Sequence, residues 1–213
     1  MNRGLFITVE GSDGAGKTTQ IDNIRKYLEA QGFETLCTRE PGGTKIGEKL
    51  RDLLLDKENS EMDPVAEMLL YAAARAQHVS EVILPAIEAG KAVICDRFVD
   101  SSVAYQGYGR GLGKQVQEVN EYATFGLEPD ITFFLDLSPE AGKKRIGEVA
   151  RDRLEAEKED FHRRVYGGYI AICGECADRV VRIDASRDIE SVRNEICNYM
   201  DRLIVSGGKA EKE

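Results

Sequence analysis

A chain of 213 residues, 42% of them hydrophobic, suits one large α/β domain and can bury a core without disulfide or metal staples. The formal charge of −9 argues against duplex nucleic acid as the main partner, and it requires that any anionic ligand meet a local concentration of positive charge. No apolar run approaches the ~18 residues of a membrane-spanning helix, so no membrane partner is expected. No basic segment followed by a long apolar core opens the chain, so a cytoplasmic location is expected.

Strand and helix signals alternate along the sequence. GLFITVE, 4–10, reads as a buried strand, and the glycine-rich GSDGAGKT follows at once. Residues 17–31 carry Ile21, Ile24 and Leu28 at helical spacing up to a stop at Gly32. FETLCT, 33–38, is a second strand, and 46–55 a short helix. Asp63 caps and Pro64 opens a long helix that runs to Gly90, with a kink expected near Pro85. KAVICDR, 91–97, and DITFFLD, 130–136, are the third and fourth strands. Ser138-Pro139 begins another helix, RVVRID, 179–184, is a fifth strand, and a helix over about 188–204 closes the pattern. Apolar strands joined by helices imply a parallel sheet covered on both faces, with ligands beyond the carboxyl ends of the strands. Residues 1–205 are expected to form a single domain, and SGGKAEKE, 206–213, a mobile tail. Of the five cysteines, Cys37 and Cys95 fall in strands, where buried thiols are common. CGEC at 173–176 lacks both the second ligand pair of a zinc site and a thioredoxin-like context, so it reads as ordinary helix.

In GSDGAGKT, Gly11, Gly16, Lys17 and Thr18 have the spacing of a phosphate-binding loop, and the strand before and helix after supply the context such a loop needs. Residues Gly11, Ser12, Asp13, Gly14, Ala15, Gly16, Lys17, Thr18 and Thr19 are expected to cradle a nucleoside triphosphate. Backbone N–H groups turn inward there, and the helix N-terminus adds positive potential. Lys17 can span the β- and γ-phosphates, and Thr18 can offer its hydroxyl to Mg²⁺. Asp96 ends the third strand, where a carboxylate can hold the metal's water shell, and Arg97 beside it can hold a second anion. The blander alternative for this pair is a surface ion pair. Arg39, Arg51, Arg75, Arg97 and Arg110 recur near strand ends and adjoining loops, which suggests a second phosphate-binding region.

Four segments carry a resemblance to a known family. ICDRFVDSSVAYQG, 94–107, resembles the signature of thymidylate kinases; TREPGGT, 38–44, LLYAAARAQH, 69–78, and RIDAS, 182–186, are similar to further segments of that family. The resemblance runs from about residue 3 to residue 204. It implies a P-loop kinase fold of the α/β class, with a five-stranded parallel sheet, helices on both faces and a mobile lid near 147–157. It also implies transfer of the γ-phosphate of ATP to dTMP with Mg²⁺, giving dTDP in dTTP biosynthesis, by a homodimer. Residue by residue, it implies that Asp13 accepts from the sugar 3′-hydroxyl and that Arg39, Arg51 and Arg97 hold the acceptor phosphate. Glu40 would order the sugar or a metal-bound water; its alternative is a loop carboxylate paired with Arg39. Tyr71, where the family often has Phe, would stack on thymine, and Arg75 would donate to a thymine carbonyl. These two are four apart and share a helix face, although Arg75 could instead face solvent. Ser101, Ser102 and Gln106 would line the base pocket, with capping of the next turn as the alternative for Ser101. Tyr105 would crowd the sugar 2′ position and disfavour ribonucleotides, with a core aromatic as the alternative for both Tyr71 and Tyr105.

Residues 143–164 hold eight basic and six acidic side chains, most of which read as a solvated helical face. ARDRLE, 150–155, is similar to the lid of one thymidylate kinase subgroup, whose arginines reach the transferring phosphate. In the other subgroup that arginine belongs to the phosphate loop, at the position of Gly14 here. The resemblance therefore assigns transition-state charge neutralisation to Arg151 or Arg153, with Asp152 and Glu155 orienting them. Arg145 would stack on adenine or join them on the phosphates. Phosphoryl transfer leaves the protein mainly positioning and charge neutralisation to perform, and a phosphate dianion needs no strong general base. Two other readings compete. A kinase for another nucleoside monophosphate or a deoxynucleoside is one, although a nucleoside kinase has no use for three arginines on an acceptor phosphate. A nucleotide switch is the other, although the guanine-reading Asn-Lys-x-Asp motif is absent.

Overall fold

The structure is a computed structural model that describes residues 3–147 and 152–205. Five parallel strands form one sheet in the order β2-β3-β1-β4-β5: β1 Phe6–Glu10, β2 Thr35–Arg39, β3 Ala92–Asp96, β4 Ile131–Asp136 and β5 Val180–Asp184. The side chains of the inner strands alternate between two buried faces. Ile7, Val9, Ile94, Phe133 and Leu135 join Ile24 and Leu28 of helix α1, Lys17–Ala30, and Val192, Ile196 and Met200 of α9, Ile189–Val205. Phe6, Val93 and Cys95 pack on Val79, Ile83 and Ile87 beneath the opposite face, and Phe134 packs on Val165, Tyr169 and Ile172 of α8, Glu159–Glu175. Continuous apolar strands covered on both sides are what a parallel sheet demands.

The expected strands and most helices stand within one or two residues of their predicted bounds, among them α2, Lys45–Leu55, and α7, Pro139–Ile146. The long helix differs in detail. It runs as α3, Pro64–His78, then a wide turn at Val79–Ile83 in which the Leu84 N–H reaches back to the Val79 carbonyl, then α4, Leu84–Glu88. The missing N–H of Pro85 is absorbed by that wider turn just before it. A second wide turn, Val103–Gly109, follows the short helix α5, Val99–Ser102. Helix α6, Gln115–Ala123, has no strong signal in the sequence: its buried face is only Val116, Asn120 and Ala123. Cys37 is exposed rather than buried, because β2 is an edge strand and the residue lies on its open side. Cys173 and Cys176 close α8, pack at the margin of the core and remain free thiols, like the other three cysteines. Among the described residues, no helix is long and apolar enough to cross a membrane.

Candidate active site

β1, β2 and β3 end side by side, with Asp96 in register with both Arg39 and Val9, so the loops after these strands meet at one edge of the sheet. A cavity of about 580 Å³ opens there. The phosphate loop lines it with Asp13, Gly14, Gly16, Lys17, Thr18 and Thr19. Arg39, Glu40, Arg51, Tyr71, Arg75, Asp96, Arg97, Ser101, Ser102, Tyr105, Gln106 and Arg145 complete the predicted residues on its wall. Gly11, Ser12 and Ala15 lie behind it. The Lys17 ammonium donates to the Gly11 and Ser12 carbonyls, at 3.1 and 3.3 Å, and Ala15 is buried in the core. Arg151 lies outside the described residues.

The charges of the loop are arranged around an anion. Burial above all, with Arg97 nearby, holds the Lys17 ammonium below its ordinary pKa. Asp13 stands 3.7 Å from Lys17 and 2.7 Å from Nη2 of Arg97. Burial raises the Asp13 pKa, but Arg97 and Lys17 outweigh it and keep the carboxyl below its usual range. Arg97 sits in the left-handed region at φ 68°, which turns its side chain back toward the loop and away from the ion pair with Asp96 that the sequence left open. Asp96 Oδ1 is buried with no hydrogen-bond partner.

Two guanidinium groups converge on one carbonyl: Arg39 and Arg51 each donate to the Pro41 oxygen at 2.9 Å, after a cis Glu40–Pro41 peptide. Arg39 also pairs with Glu48. Burial, and then the like charge of Arg39, lowers the pKa of Arg51, so an arriving anion would relieve both.

Glu40 does not pair with Arg39. It is buried and accepts from Nε of Arg75 at 2.8 Å, and its other oxygen lies 3.0 Å from Nδ1 of His78, whose Nε2 meets the Thr38 hydroxyl. Nor does Arg75 face solvent. At 2% exposure it also donates to the Ser102 hydroxyl, to Asn120 and to the Phe98 carbonyl. Glu40→Ala would strand this guanidinium without its counter-charge, and removal of one member of a buried pair costs about 3–5 kcal/mol. The expected result is a fall of that size in urea unfolding, with a loss below 1 kcal/mol counting against the pair.

Ser101 is not a helix cap. Its hydroxyl donates to Glu10 Oε2 at 2.6 Å, and the same carboxylate accepts from the Tyr169 hydroxyl and from the Phe98 N–H. Burial first, then the nearby Asp100 charge, pushes the Glu10 pKa from 4.5 up to about 7. A carboxyl with a raised folded-state pKa holds its proton more tightly when folded. Its stabilising contribution is present in full below about 4.5 and is lost as pH rises toward about 7. At about 1.4 kcal/mol per unit this amounts to roughly 3 kcal/mol. Glu10→Gln keeps an acceptor for the Phe98 N–H and cannot titrate. Relative to wild type it should gain stability between pH 5 and pH 8 in urea unfolding; a difference independent of pH would refute the assignment.

On the base side, Tyr71 stands one turn before Arg75, and Tyr105 is buried edge-on to Phe161 and Tyr169 at 6.1 and 6.4 Å. Gln106 donates to Oε1 of Glu67 at 2.9 Å. Arg145 donates to the Ala185 carbonyl of the RIDAS segment, on the opposite side of the loop. The lid arginine Arg153 is off the cavity wall: Nε donates to the Leu54 carbonyl at 2.8 Å and Nη1 pairs with Glu67 at 2.7 Å, while Nη2 is buried without a partner. Asp152 and Glu155 do not orient it. Asp152 Oδ1 instead accepts from the Leu154 and Glu155 N–H groups, a local turn that a short carboxylate closes readily, and Glu155 accepts from the Asp152 N–H.

Sequence reasoning missed Glu10, Glu67, His78, Asn120 and Tyr169. Glu67 was within reach, since it precedes Tyr71 by four and Arg75 by eight on one helical face. Asn120 and Tyr169 arrive from helices distant in sequence and carry no local signal.

A family model described as thymidylate kinase matches residues 9–196. A thymidylate kinase of Thermoanaerobacter sp. (strain X514) is 53% identical over 203 residues, 95% of this chain and 100% of that protein. One from Clostridium novyi (strain NT) is 47% identical over 94% of this chain and 100% of its own length. The crystal structure of thymidylate kinase from Ehrlichia chaffeensis superposes with a TM-score of 0.77 at 31% identity, covering 93% of this chain and 99% of that one. With a model match along most of its length and relatives about half identical end to end, this chain belongs to the thymidylate kinase family.

Proposed function

We propose that the protein phosphorylates dTMP with ATP and releases dTDP and ADP, a step that feeds dTTP synthesis. The observation that carries this reading is the pairing of two anion sites across one cavity: Lys17 in the phosphate loop, and Arg39, Arg51 and Arg97 on the facing wall. An oxygen of the acceptor monophosphate attacks the γ-phosphorus, the bond to the β,γ-bridging oxygen breaks, and that oxygen leaves with ADP. Lys17 and Arg97 neutralise charge on the moving group; Arg39 and Arg51 hold the acceptor phosphate in line. Asp13, kept anionic, is an acceptor for the sugar hydroxyl. Tyr71 stacks on the base, Tyr105 closes the 2′ side, and Arg145 serves the adenine side. Arg153 is engaged by Glu67 in this arrangement, so the lid cation is assigned to Arg151 before Arg153.

The residues present fit Mg²⁺. Asp96 offers a buried oxygen with no other partner, and Thr18 lines the same wall. Asp96 and Thr18 would hold such an ion together with the nucleotide's own phosphates. When bound, such an ion would supply charge neutralisation to the phosphates.

A homodimer is also proposed. Ile46 and Leu53 on α2 and Val65 and Leu69 on α3 are exposed, on helices that pack against each other. The five free thiols suit the reducing cytoplasm. Incubation with ATP and Mg²⁺ against dTMP, dUMP, dCMP, dGMP and the nucleosides tests the activity. Preferred turnover of dTMP is expected; transfer to a nucleoside, or hydrolysis without transfer, would overturn the reading.

A further inference from the structure

Glu67 is fully buried, and it receives donors from both the base pocket and the lid segment. Oε1 accepts from Nε2 of Gln106, Oε2 accepts from Nη2 of Arg110 at 3.0 Å, and Nη1 of Arg153 lies 2.7 Å from Oε2. An ionised carboxylate has only acceptors to offer. It therefore permits one sense of the Gln106 amide, with the NH₂ group toward Glu67 and Oε1 left for the cavity that Gln106 lines. Arg75 is constrained in the complementary way. Of its five N–H groups, Glu40, Ser102, Asn120 and the Phe98 carbonyl engage four, and one on Nη2 remains. The wall thus presents a bare acceptor and a single donor.

We infer that Glu67 is a positioning residue for base specificity: it locks the Gln106 amide so that the pocket offers an acceptor to the N3–H of thymine or uracil, and a donor from Arg75 to the neighbouring carbonyl, and rejects cytosine. Cytosine carries an acceptor at N3 and an amino group at C4, so both positions would face a like partner. This deepens the proposed function and rests on its reading of the acceptor as a pyrimidine monophosphate. Glu67 stays ionised for the task. Burial raises its pKa, but hydrogen bonds from Arg110 and Gln106 and the charges of Arg110 and Arg153 outweigh burial and bring it below the usual carboxylate range. A pocket built to hydrogen-bond its substrate rejects a mismatched one far more strongly than shape alone can.

The test is Glu67→Gln, which retains the shape but can both donate and accept, so that either sense of the Gln106 amide becomes available. The readout is the ratio of kcat/KM for dTMP to that for dCMP, which a general loosening of the lid would leave unchanged. The ratio should fall at least tenfold in E67Q. It should not respond to E67Q when Gln106 is already Met, because the residue through which Glu67 acts is then gone. An unchanged ratio in folded E67Q overturns the inference, as does an equal fall in the Gln106→Met background. In the wild-type protein, the Gln106 side-chain amide, assigned by its loss in Q106M, should exchange slowly by ¹⁵N NMR without nucleotide; fast exchange would overturn the inference even if E67Q fails to fold. Wild-type turnover of dTMP is measured first. Its absence removes the functional reading itself, whereas normal turnover with an unchanged ratio in E67Q removes only the role of Glu67.

Discussion

Lys17→Met is expected to reduce turnover about a hundred- to a thousandfold and to leave the folded protein at least as stable as wild type. The two effects have opposite signs because one buried ammonium serves both. At 9% exposure, with a depressed pKa and only backbone carbonyls and a carboxylate 3.7 Å away, Lys17 is a charge held out of water for a ligand. A methionine of similar length fills the space without that desolvation cost, and replacing a buried charge by an apolar isostere is often neutral or stabilising. Catalysis loses the group aimed at the migrating phosphoryl, and removal of one preorganised donor in such a site costs about 10²–10³ in rate. The measurement is single-turnover phosphoryl transfer beside urea unfolding. Turnover within tenfold of wild type would refute the role of Lys17. A collapse in stability would make the residue structural instead.

The sequence carried the sheet and the phosphate loop well because both are local signals. A mostly apolar strand followed by GSDGAGKT states strand, loop and helix within one stretch, and the structure keeps that order. The cavity wall was legible as a set of residue types, since eighteen of the predicted positions need only be brought to one edge, and a parallel sheet does that with strand ends. What each side chain touches was not legible. Beside the sugar role that the resemblance implies, the alternative for Glu40 is a pair with Arg39, its neighbour in sequence, but its partner is Arg75, 35 residues away. Arg153 was read as free to reach a phosphate, but it is bound by Glu67, a residue with no motif around it. Such pairings are settled by which helix crosses which strand end, and by the high cost of leaving a buried charge unpaired. Sequence spacing contains neither. Asp152 shows the converse: a short carboxylate beside free N–H groups bonds locally, and turn chemistry alone foretells that its charge is not available to a distant arginine.

Gly142→Ala is expected to lower kcat/KM for ATP about a hundredfold while leaving dTMP affinity within a few fold. By helix propensity alone the change should help, since alanine is favoured over glycine by about 1 kcal/mol inside a helix. The neighbouring backbone reverses the sign. A Cβ on Gly142 would fall 2.3 Å from the Asp13 carbonyl oxygen, and one on Gly14 would fall 2.5 Å from the Gly142 carbonyl oxygen. Helix α7 and the phosphate loop touch backbone to backbone at these two glycines, and neither contact can be relieved by turning a side chain. The added methyl must push loop and helix apart by roughly an ångström, a displacement that can cost about 10² in rate when it misaligns reacting groups. This also recasts Gly14, which the sequence presents as the place where a related subgroup keeps an arginine. Here α7 closes over that position, and Gly14 is held at φ 80°, where a side chain is strained whatever the space. An arginine restored there would meet the helix backbone before any phosphate. Titration of dTMP and of an ATP analogue into G142A, with steady-state kinetics for each substrate, separates the two sites. Wild-type ATP kinetics in the folded variant would show that loop and helix can part without consequence.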